Sequence, residues 1–303
     1  MTLQQLRAFL AIVDSGSFRR AARLLDISQA GLTGSIQALE AGLGVVLFQR
    51  SAQGVRLTED GDRLLPRARL ITSESQRAVI DALHAQGQRQ GLLQIGLGPT
   101  PTALLLGRVI PDFHARFPAV GLKLVEGFFE QLQPALQQGK LEFAVTAVPA
   151  EGVGPGLKSE VLFQSHLTVI GRVGHPCAHV TSLRELAHLE WVLMGAPGYP
   201  GGTVTRFHVE QGLPPPRIAA ICESFTQLAA LIGGTDWLAI VPSALAEQGF
   251  LGPRVKPLVL QEPTPQFDNC LVHRTDSPLT PAASALAAML VSCARMFVGR
   301  GAR

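Results

Sequence analysis

The chain has 303 residues, 47% of them apolar and 16% charged, with a formal net charge of +3. That balance excludes a disordered or highly charged chain, and the length suffices for two or three domains with real cores. The charge is uneven: up to Thr58 the arginines at 7, 19, 20, 23, 50 and 56 stand against Asp14, Asp26 and Glu40, so everything after Thr58 is neutral as a whole. A positive end on a neutral body fits an N-terminal module that meets nucleic acid. Cys177, Cys222, Cys270 and Cys293 form no CxxC pair, so neither a zinc knuckle nor a disulfide framework is indicated. Free thiols in a reducing cytoplasm are the expectation. The first residues form an amphipathic segment rather than a signal peptide, and no run of about 18 apolar residues is present to span a membrane.

Residues 2–14 place Leu3, Leu6, Phe9, Leu10 and Val13 at helical spacing, and Asp14-Ser15-Gly16-Ser17 ends that helix and caps the next. Ser17 to Leu43 reads as two short helices with a tight break. Phe18, Ala21, Ala22, Leu24 and Leu25 give the first an apolar face, and Asp26-Ile27 interrupts it. Ser28 is the N-cap of the second, in which Leu32, Ile36, Leu39 and Leu43 recur at helical steps. The small Ala21 and Ala22 let the two pack closely. This is a helix-turn-helix pattern, whose second helix enters the DNA major groove N-terminal end first. With the buried positions removed, Gln29, Ala30, Thr33, Gly34 and Gln37 face outward, next to Ser28. Gln29 carries the donor and acceptor that adenine requires, and Thr33 offers a hydroxyl and a methyl group. Two amphipathic helices also occur in ordinary helical cores, so the pattern needs support from its surroundings.

That support follows in the chain. LFQR (47–50) and VRLT (55–58) read as a hairpin around Ser51–Gly54, with Gly54 expected at the turn and Arg50 and Arg56 placed for phosphates or a minor groove. Thr58 caps a helix with Glu59, Asp60 and Asp62 in its first turn, running to about Gln88, or ~45 Å. Leu64, Ala68, Ile71, Val79 and Leu83 form a broken stripe, and Pro66 should kink it. Such a helix either pairs with a copy from a second subunit, which is the expectation, or packs on its own C-terminal domain. Gln86–Gly91 is a polar hinge.

Beyond it strands and helices alternate: strand 92–97, helix 102–116, strand 120–127, helix 129–138 and strand 141–148. Strand 167–172, helix 182–188, strand 191–194, helix 203–211, strand 218–223, helix 225–232, strand 238–242, strand 267–273 and a helix over 281–297 complete the series. This alternation predicts parallel sheets covered on both faces, with ligands outside the carboxyl ends of strands.

SFRRAARLLDISQAGLTGSIQALEAGLGVVLFQR followed by VRLTEDG resembles the N-terminal signature of LysR-type transcriptional regulators, closely over about 65 residues. HLTVIGRVGHPCA (166–178) and the Leu-rich helix and WVL strand after it are similar to that family's second regulatory subdomain. The resemblance implies an α+β multidomain chain. A winged helix-turn-helix over 1–58, a dimerising linker helix and hinge over 59–90, and a periplasmic-binding-protein-like effector domain over 91–303 are expected. That domain divides into subdomain I, 91–162 plus 269–303, and subdomain II, 163–268. A homodimer through the linker, assembling to a homotetramer on double-stranded promoter DNA, is implied too. By position, Gln29, Ala30 and Thr33 match base-contacting places and Arg50 a backbone or minor-groove contact. Ala30, Gly31 and Gly34 depart from the family's usual residues, and two glycines in one helix cost about 1 kcal/mol each relative to alanine.

The expected effector site lies between two helix N-termini, Gly98-Pro-Thr100-Pro101-Thr102 and Gly201-Gly202-Thr203. Phe128, Phe129 and Phe225 at strand-to-helix turns would supply apolar walls, and Thr146 lies on the crossover strand. Neither segment contains Arg or Lys, so a carboxylate or sulfonate would be held by dipoles rather than an ion pair. The effector is expected to be a small organic anion. No catalytic role, metal or cofactor is assigned: Gly96-Leu-Gly98-Pro-Thr-Pro101 lacks the last glycine of a dinucleotide fingerprint, and His175-Pro-Cys177-Ala-His179 reads as a loop. The alternatives are an α/β enzyme or a cytoplasmic solute-binding protein with an accessory helical domain. Deleting residues 1–60 separates them, because only a regulator would lose its main activity.

Overall fold

The structure, a computed structural model, describes residues 1–51, 54–85, 91–195 and 202–298. The expected hinge at 86–90, the tip of the hairpin and Gly201 lie outside them, as does the side chain of Arg50.

The N-terminal unit comprises α1 (Leu3–Ser15), α2 (Phe18–Leu24), α3 (Gln29–Leu43) and a hairpin of β1 (Phe48–Ser51) and β2 (Gly54–Leu57). Thr2 and Gln5 exchange capping bonds of 2.8 and 3.2 Å at the start of α1. The break before α3 is sharp because Asp26 adopts φ +53°, a left-handed conformation that Asp tolerates better than most residues. Ser28 Oγ then accepts the Gly31 N–H at 3.0 Å and starts α3. Leu6, Phe9 and Ile12 of α1, Ala21 and Ala22 of α2, and Leu32, Ile36 and Leu39 of α3 close one core. Phe48 completes it, its ring 5.2 Å from Phe9 and 5.7 Å from Phe18.

Three apolar positions depart from the expectation. Leu3, Leu24 and Leu43 are exposed, because Leu3 is the first residue of its helix and Leu24 and Leu43 the last of theirs, where the chain turns away from the core. Gly54 is not the turn residue either: it pairs with Ser51 in the ladder.

Helix α4 (Glu59–Ala85) begins at Thr58, whose Oγ1 accepts the Gly61 N–H and donates to Val46 O at 2.6 Å. Gly61 is required there, since a Cβ would collide with Leu47 O. Leu64, Leu65 and Ala68 pack on the N-terminal core. One turn further the same helix docks on its own C-terminal domain. Ser73 Oγ donates to Gly139 O at 2.5 Å, and Arg77 donates to Glu142 at 2.9 Å and to Pro278 O at 2.7 Å. From the other side Arg274 and Ser277 reach Glu74 at 2.6 and 3.1 Å. The expectation that the helix turns mainly to a second subunit is thus met by a competing intrachain contact, while Ile71 and Val79 stay exposed.

The C-terminal domain runs β3 (Gly91–Leu97), α5 (Pro99–Pro101), a π-helical turn (Thr102–Leu106), α6 (Gly107–Arg116), β4 (Val120–Glu126), α7 (Phe129–Gln137) and β5 (Phe143–Ala147). It continues through β6 (Leu157–Arg172), α8 (Leu183–Leu186), β7 (Glu190–Met194), α9 (Thr203–Glu210), β8 (Arg217–Cys222) and α10 (Phe225–Ile232). The last elements are β9 (Leu238–Pro242), α11 (Ser243–Glu247), β10 (Val255–Leu258), β11 (Gln266–Arg274) and α12 (Pro281–Val298). Among the described residues these strands form a nine-stranded sheet ordered β4-β3-β5-β11-β6-β9-β7-β8, with β10 on β6.

The sheet is mixed rather than parallel throughout. β3 runs parallel to β4 and β5, and β7 to β8 and β9, as βαβ connections require. β6 and β11 are antiparallel to their neighbours, because they carry the chain from one half of the domain to the other and back. Apolar clusters cover both faces in each half: α6 and α12 against α7 in one, α8 and α9 against α10 and α11 in the other.

The docked helix generates a prediction. Arg77 and Glu142 are nearly solvent-free, so removing one partner leaves an uncompensated charge. Arg77→Ala should cost about 3–5 kcal/mol, measured by denaturant unfolding; a loss below 1 kcal/mol would mean that α4 does not dock this way.

Candidate DNA-contacting surface and effector cleft

On α3 the buried positions face α1 and α2, which leaves Gln29, Ala30, Gly34 and Gln37 exposed beside the N-cap Ser28. Thr33 is half-buried and its hydroxyl donates to Gln29 O at 2.9 Å, so a lone pair and the methyl group remain for a ligand. The helix is continuous through both glycines, and a Cβ at Gly34 would meet open space. Arg56 stands on β2 opposite Gln49, and the Arg50 backbone pairs with Val55. The structure therefore brings one polar strip of α3 and the arginine-bearing hairpin onto the same unit, without a packing role for Gln29 or Gln37.

The cleft between the two halves of the C-terminal domain holds two adjoining spaces. The first is a narrow apolar slot of about 60 Å³ between Pro99 and Thr100 on one side and Met194, Val204 and Ile240 on the other. Phe128, the N-cap of α7, and Phe225, the first residue of α10, meet across it with ring centroids 6.3 Å apart. The second is a polar chamber of about 660 Å³ lined by Gly202, Ser159, Gln164 and Asp268 among others. Thr203, Arg206, Gln266 and Phe267 belong to both.

Several expected effector residues sit elsewhere. Phe129 is buried in the core beneath α7 with Leu132 and Leu136, because the first helical residue turns inward while the N-cap Phe128 turns to the cleft. Pro101 is buried in the short helix α5, outside both linings. Thr146 is paired with Cys270, one residue away from the Ala147–Asn269 pair that faces the slot, so strand alternation turns it to the opposite face. Its Oγ1 and that of Thr102 are buried without a hydrogen-bond partner in the structure. Thr100, Phe128, Thr203 and Phe225 line the slot and Gly202 the chamber.

The expectation of an anion held by dipoles without an ion pair changes as well. Arg206 lies one turn inside α9, on the face of Thr203, and brings a guanidinium to the junction of slot and chamber. Its only contact among the described acids is Glu210 at 3.7 Å, an exposed pair that competes weakly with a ligand. Spacing from Thr203 was the signal: three residues along a helix share a face. Asn269, fully buried on β11, was not legible as a lining residue; its Nδ2 donates to Ser165 Oγ at 3.1 Å and its Oδ1 is unpaired.

The His175 loop has a structural role: its Nε2 lies 3.0 Å from Asp236 O and its Nδ1 accepts the Cys177 N–H at 3.0 Å. Both ring nitrogens are engaged.

Comparison with known proteins bears on the whole chain. Residues 3–62 match the family described as bacterial regulatory helix-turn-helix protein, lysR family, and residues 86–294 match the LysR substrate binding domain. The chain belongs to the LysR family of transcriptional regulators. It is a DNA-binding transcriptional regulator with an effector-binding domain and not an enzyme. Among similar proteins, this regulator is 29% identical over 297 residues to the SDS degradation transcriptional activation protein of a Pseudomonas species, covering 95% of each chain. It is 37% identical over 175 residues to a probable hydrogen peroxide-inducible genes activator of Mycobacterium xenopi, covering 58% of this chain and 92% of that one. The match to the Mycobacterium leprae protein of the same name spans 49% of that relative. Full-length OxyR from Pseudomonas aeruginosa superposes with a TM-score of 0.71 at 22% identity, over 98% of this chain and 95% of that one. CbnR, also solved with its target DNA, gives 0.70 at 24% identity over 97% and 99%.

One consequence for stability follows from α9. His208 is fully buried edge-on to Trp191, its Nδ1 bonded to Val204 O, and burial holds its pKa below the ordinary value of 6.5. His273 is lowered too, by burial first and then by Lys158. A lowered folded-state pKa means that the unfolded chain takes up protons first, so stability present above the ordinary value is lost as pH falls below it. His208→Gln should flatten the decline of Tm between about pH 7 and pH 5; an unchanged slope would assign the acid sensitivity elsewhere.

Proposed function

We propose that this regulator binds double-stranded promoter DNA through Gln29, Ala30, Thr33, Gly34 and Gln37 of α3, with Ser28 at its start and Arg50 and Arg56 of the hairpin on the backbone. The regulator binds as a homodimer paired through α4 and as a homotetramer of such dimers; pairing through α4 is supported by Ile71 and Val79, which stay exposed among the described residues.

The effector is a small amphipathic organic anion. The observation that carries this reading is Arg206 at the junction of an apolar slot and a polar chamber. A charged head at Arg206 and the first turn of α9 leaves the apolar end of the molecule in the slot, beside Phe128 and Phe225. A slot of 60 Å³ holds only a few water-sized groups, so a larger effector enters by parting the two subdomains. Glu142 and Arg274 fix α4 to subdomain I, so that separation would shift subdomain II relative to α4 and thereby couple occupancy to the spacing of the recognition helices. The name of the Pseudomonas relative, which refers to SDS, an alkyl sulfate, accords with an amphipathic anion.

A peroxide-sensing reading is prompted by the names of other relatives. Three of the four thiols do not favour it, the partly exposed Cys177 being the exception. Peroxide attacks thiolates, whereas burial pushes the Cys222 and Cys293 thiols up and raises Cys270 to about 11. Cys222 on β8 and Cys270 on β11 are separated by β7, β9 and β6, about 19 Å at the usual strand spacing and far beyond disulfide reach.

Three experiments test the proposal. Calorimetry with benzoate, alkyl sulfonates and alkyl sulfates should show binding that Arg206→Gln weakens by ~10-fold or more, as loss of a charged hydrogen bond requires. Preference for a bulky cation would refute the site. On DNA, Gln29→Ala should cost about 1–3 kcal/mol at a single base position, whereas Arg50→Ala or Arg56→Ala should weaken all sequences and reduce the salt slope by about one. Footprinting with and without the anion, and with hydrogen peroxide, completes the comparison; a peroxide-dependent shift would favour the thiols.

A further inference from the structure

A recess of about 380 Å³ lies where α1, α4 and the effector domain meet, away from the cleft and from the exposed strip of α3. Each of the three parts brings a cation to it: Arg7 from α1, Arg69 from α4 and Lys140 from the loop after α7. The lining contains a single acid, Asp14, and Arg69 already holds it at 2.7 Å. Arg7 and Lys140 have no ion-pair partner among the described residues. Ser73 and Gln94 add polar groups between them.

Repulsion within the cluster reaches Lys140. Its ammonium is held below the ordinary lysine value, by partial desolvation first and then by repulsion from Arg69, with Asp14 opposing and Lys123 adding to it. Gathering like charges in a recess is unfavourable unless something of opposite sign completes it.

We propose that this recess binds a small multivalent oxyanion of the phosphate or phosphate-monoester class, which bridges the DNA-binding domain, the linker helix and the effector domain. Tetrahedral oxyanions suit it because several donors on different elements must be met at once. Lys140 follows Gly139, whose carbonyl receives the Ser73 hydroxyl, so an anion there reinforces the docking of α4 from the neighbouring position. It also ties α1 to the effector domain, and thereby holds the recognition helix in one orientation relative to the sensor. DNA phosphates are the other source of such an anion. The recess opens on the 7, 10, 11 and 14 stripe of α1, whereas Leu6, Phe9 and Ile12 form the stripe in the core shared with α3.

The test uses the full-length protein with inorganic phosphate against chloride at matched ionic strength, followed by thermal unfolding and calorimetry. Phosphate should raise Tm in a saturable manner, as ligand linkage requires. The Arg7→Gln/Lys140→Gln double variant, which alters exposed side chains, should weaken phosphate by ~10-fold or more, while Lys256→Gln, at an exposed cation on β10 outside the recess, responds as the parent does. Equal stabilisation of the double variant, or no phosphate-specific effect on the parent, overturns the proposal. So does a reduced salt slope of DNA binding in the double variant, which would assign these cations to the DNA backbone.

Discussion

Arg77 and Arg274 enter the contact between α4 and the effector domain with almost all of their surface withdrawn from water. A guanidinium in that position is costly unless its donors are met, and here Glu142, Glu74, Asp276 and the Pro278 carbonyl meet most of them, with Arg274 Nη1 left without a partner among the described residues. The remaining geometry depends on this arrangement. It ties a helix whose first turns are part of the DNA-binding core to strands whose far ends line the effector cleft.

The strands make that connection short. β11 runs from Gln266 and Asn269 in the cleft to Arg274 at α4, and β5 from Ala147 in the cleft back to Phe143, next to Glu142. Paired strands are stiff along their length, so a displacement at the cleft is carried to the linker helix rather than absorbed. Two-state behaviour of packed interfaces is the usual way in which small shifts of this sort are amplified. α4 is also the element that presents Ile71 and Val79 outward. One helix therefore carries a sensor contact on one face and an unpaired apolar stripe on another.

The effector cleft shows why helix dipoles and side-chain charge should be considered together. Gly202 and Thr203 offer the positive end of α9, and Arg206 follows one turn later on the same face. The two effects add for an anion and would both oppose a cation. The apolar slot beside them provides few partners for buried hydrogen-bonding groups, whereas the adjoining chamber is polar.

Sequence alone determined the local elements and the faces they bury. Helical spacing located α1 to α4, the Ser28 cap started α3 where the structure places it, and β–α alternation located most strands, since each of these signals is written within one or two turns of chain. The outward set on α3 followed from the same periodicity. The strand from Leu157, β10 and α11 were not legible, because the two strands bury residues without a clean period and the five-residue helix is too short to show one. Tertiary structure alone decided which residues meet: that Phe128 faces the cleft and Phe129 the core, that Arg206 reaches the junction of two cavities, and that Arg7, Arg69 and Lys140 converge. Those are contacts between segments far apart in the chain, and they depend on how sheets and helices pack rather than on any spacing within a segment.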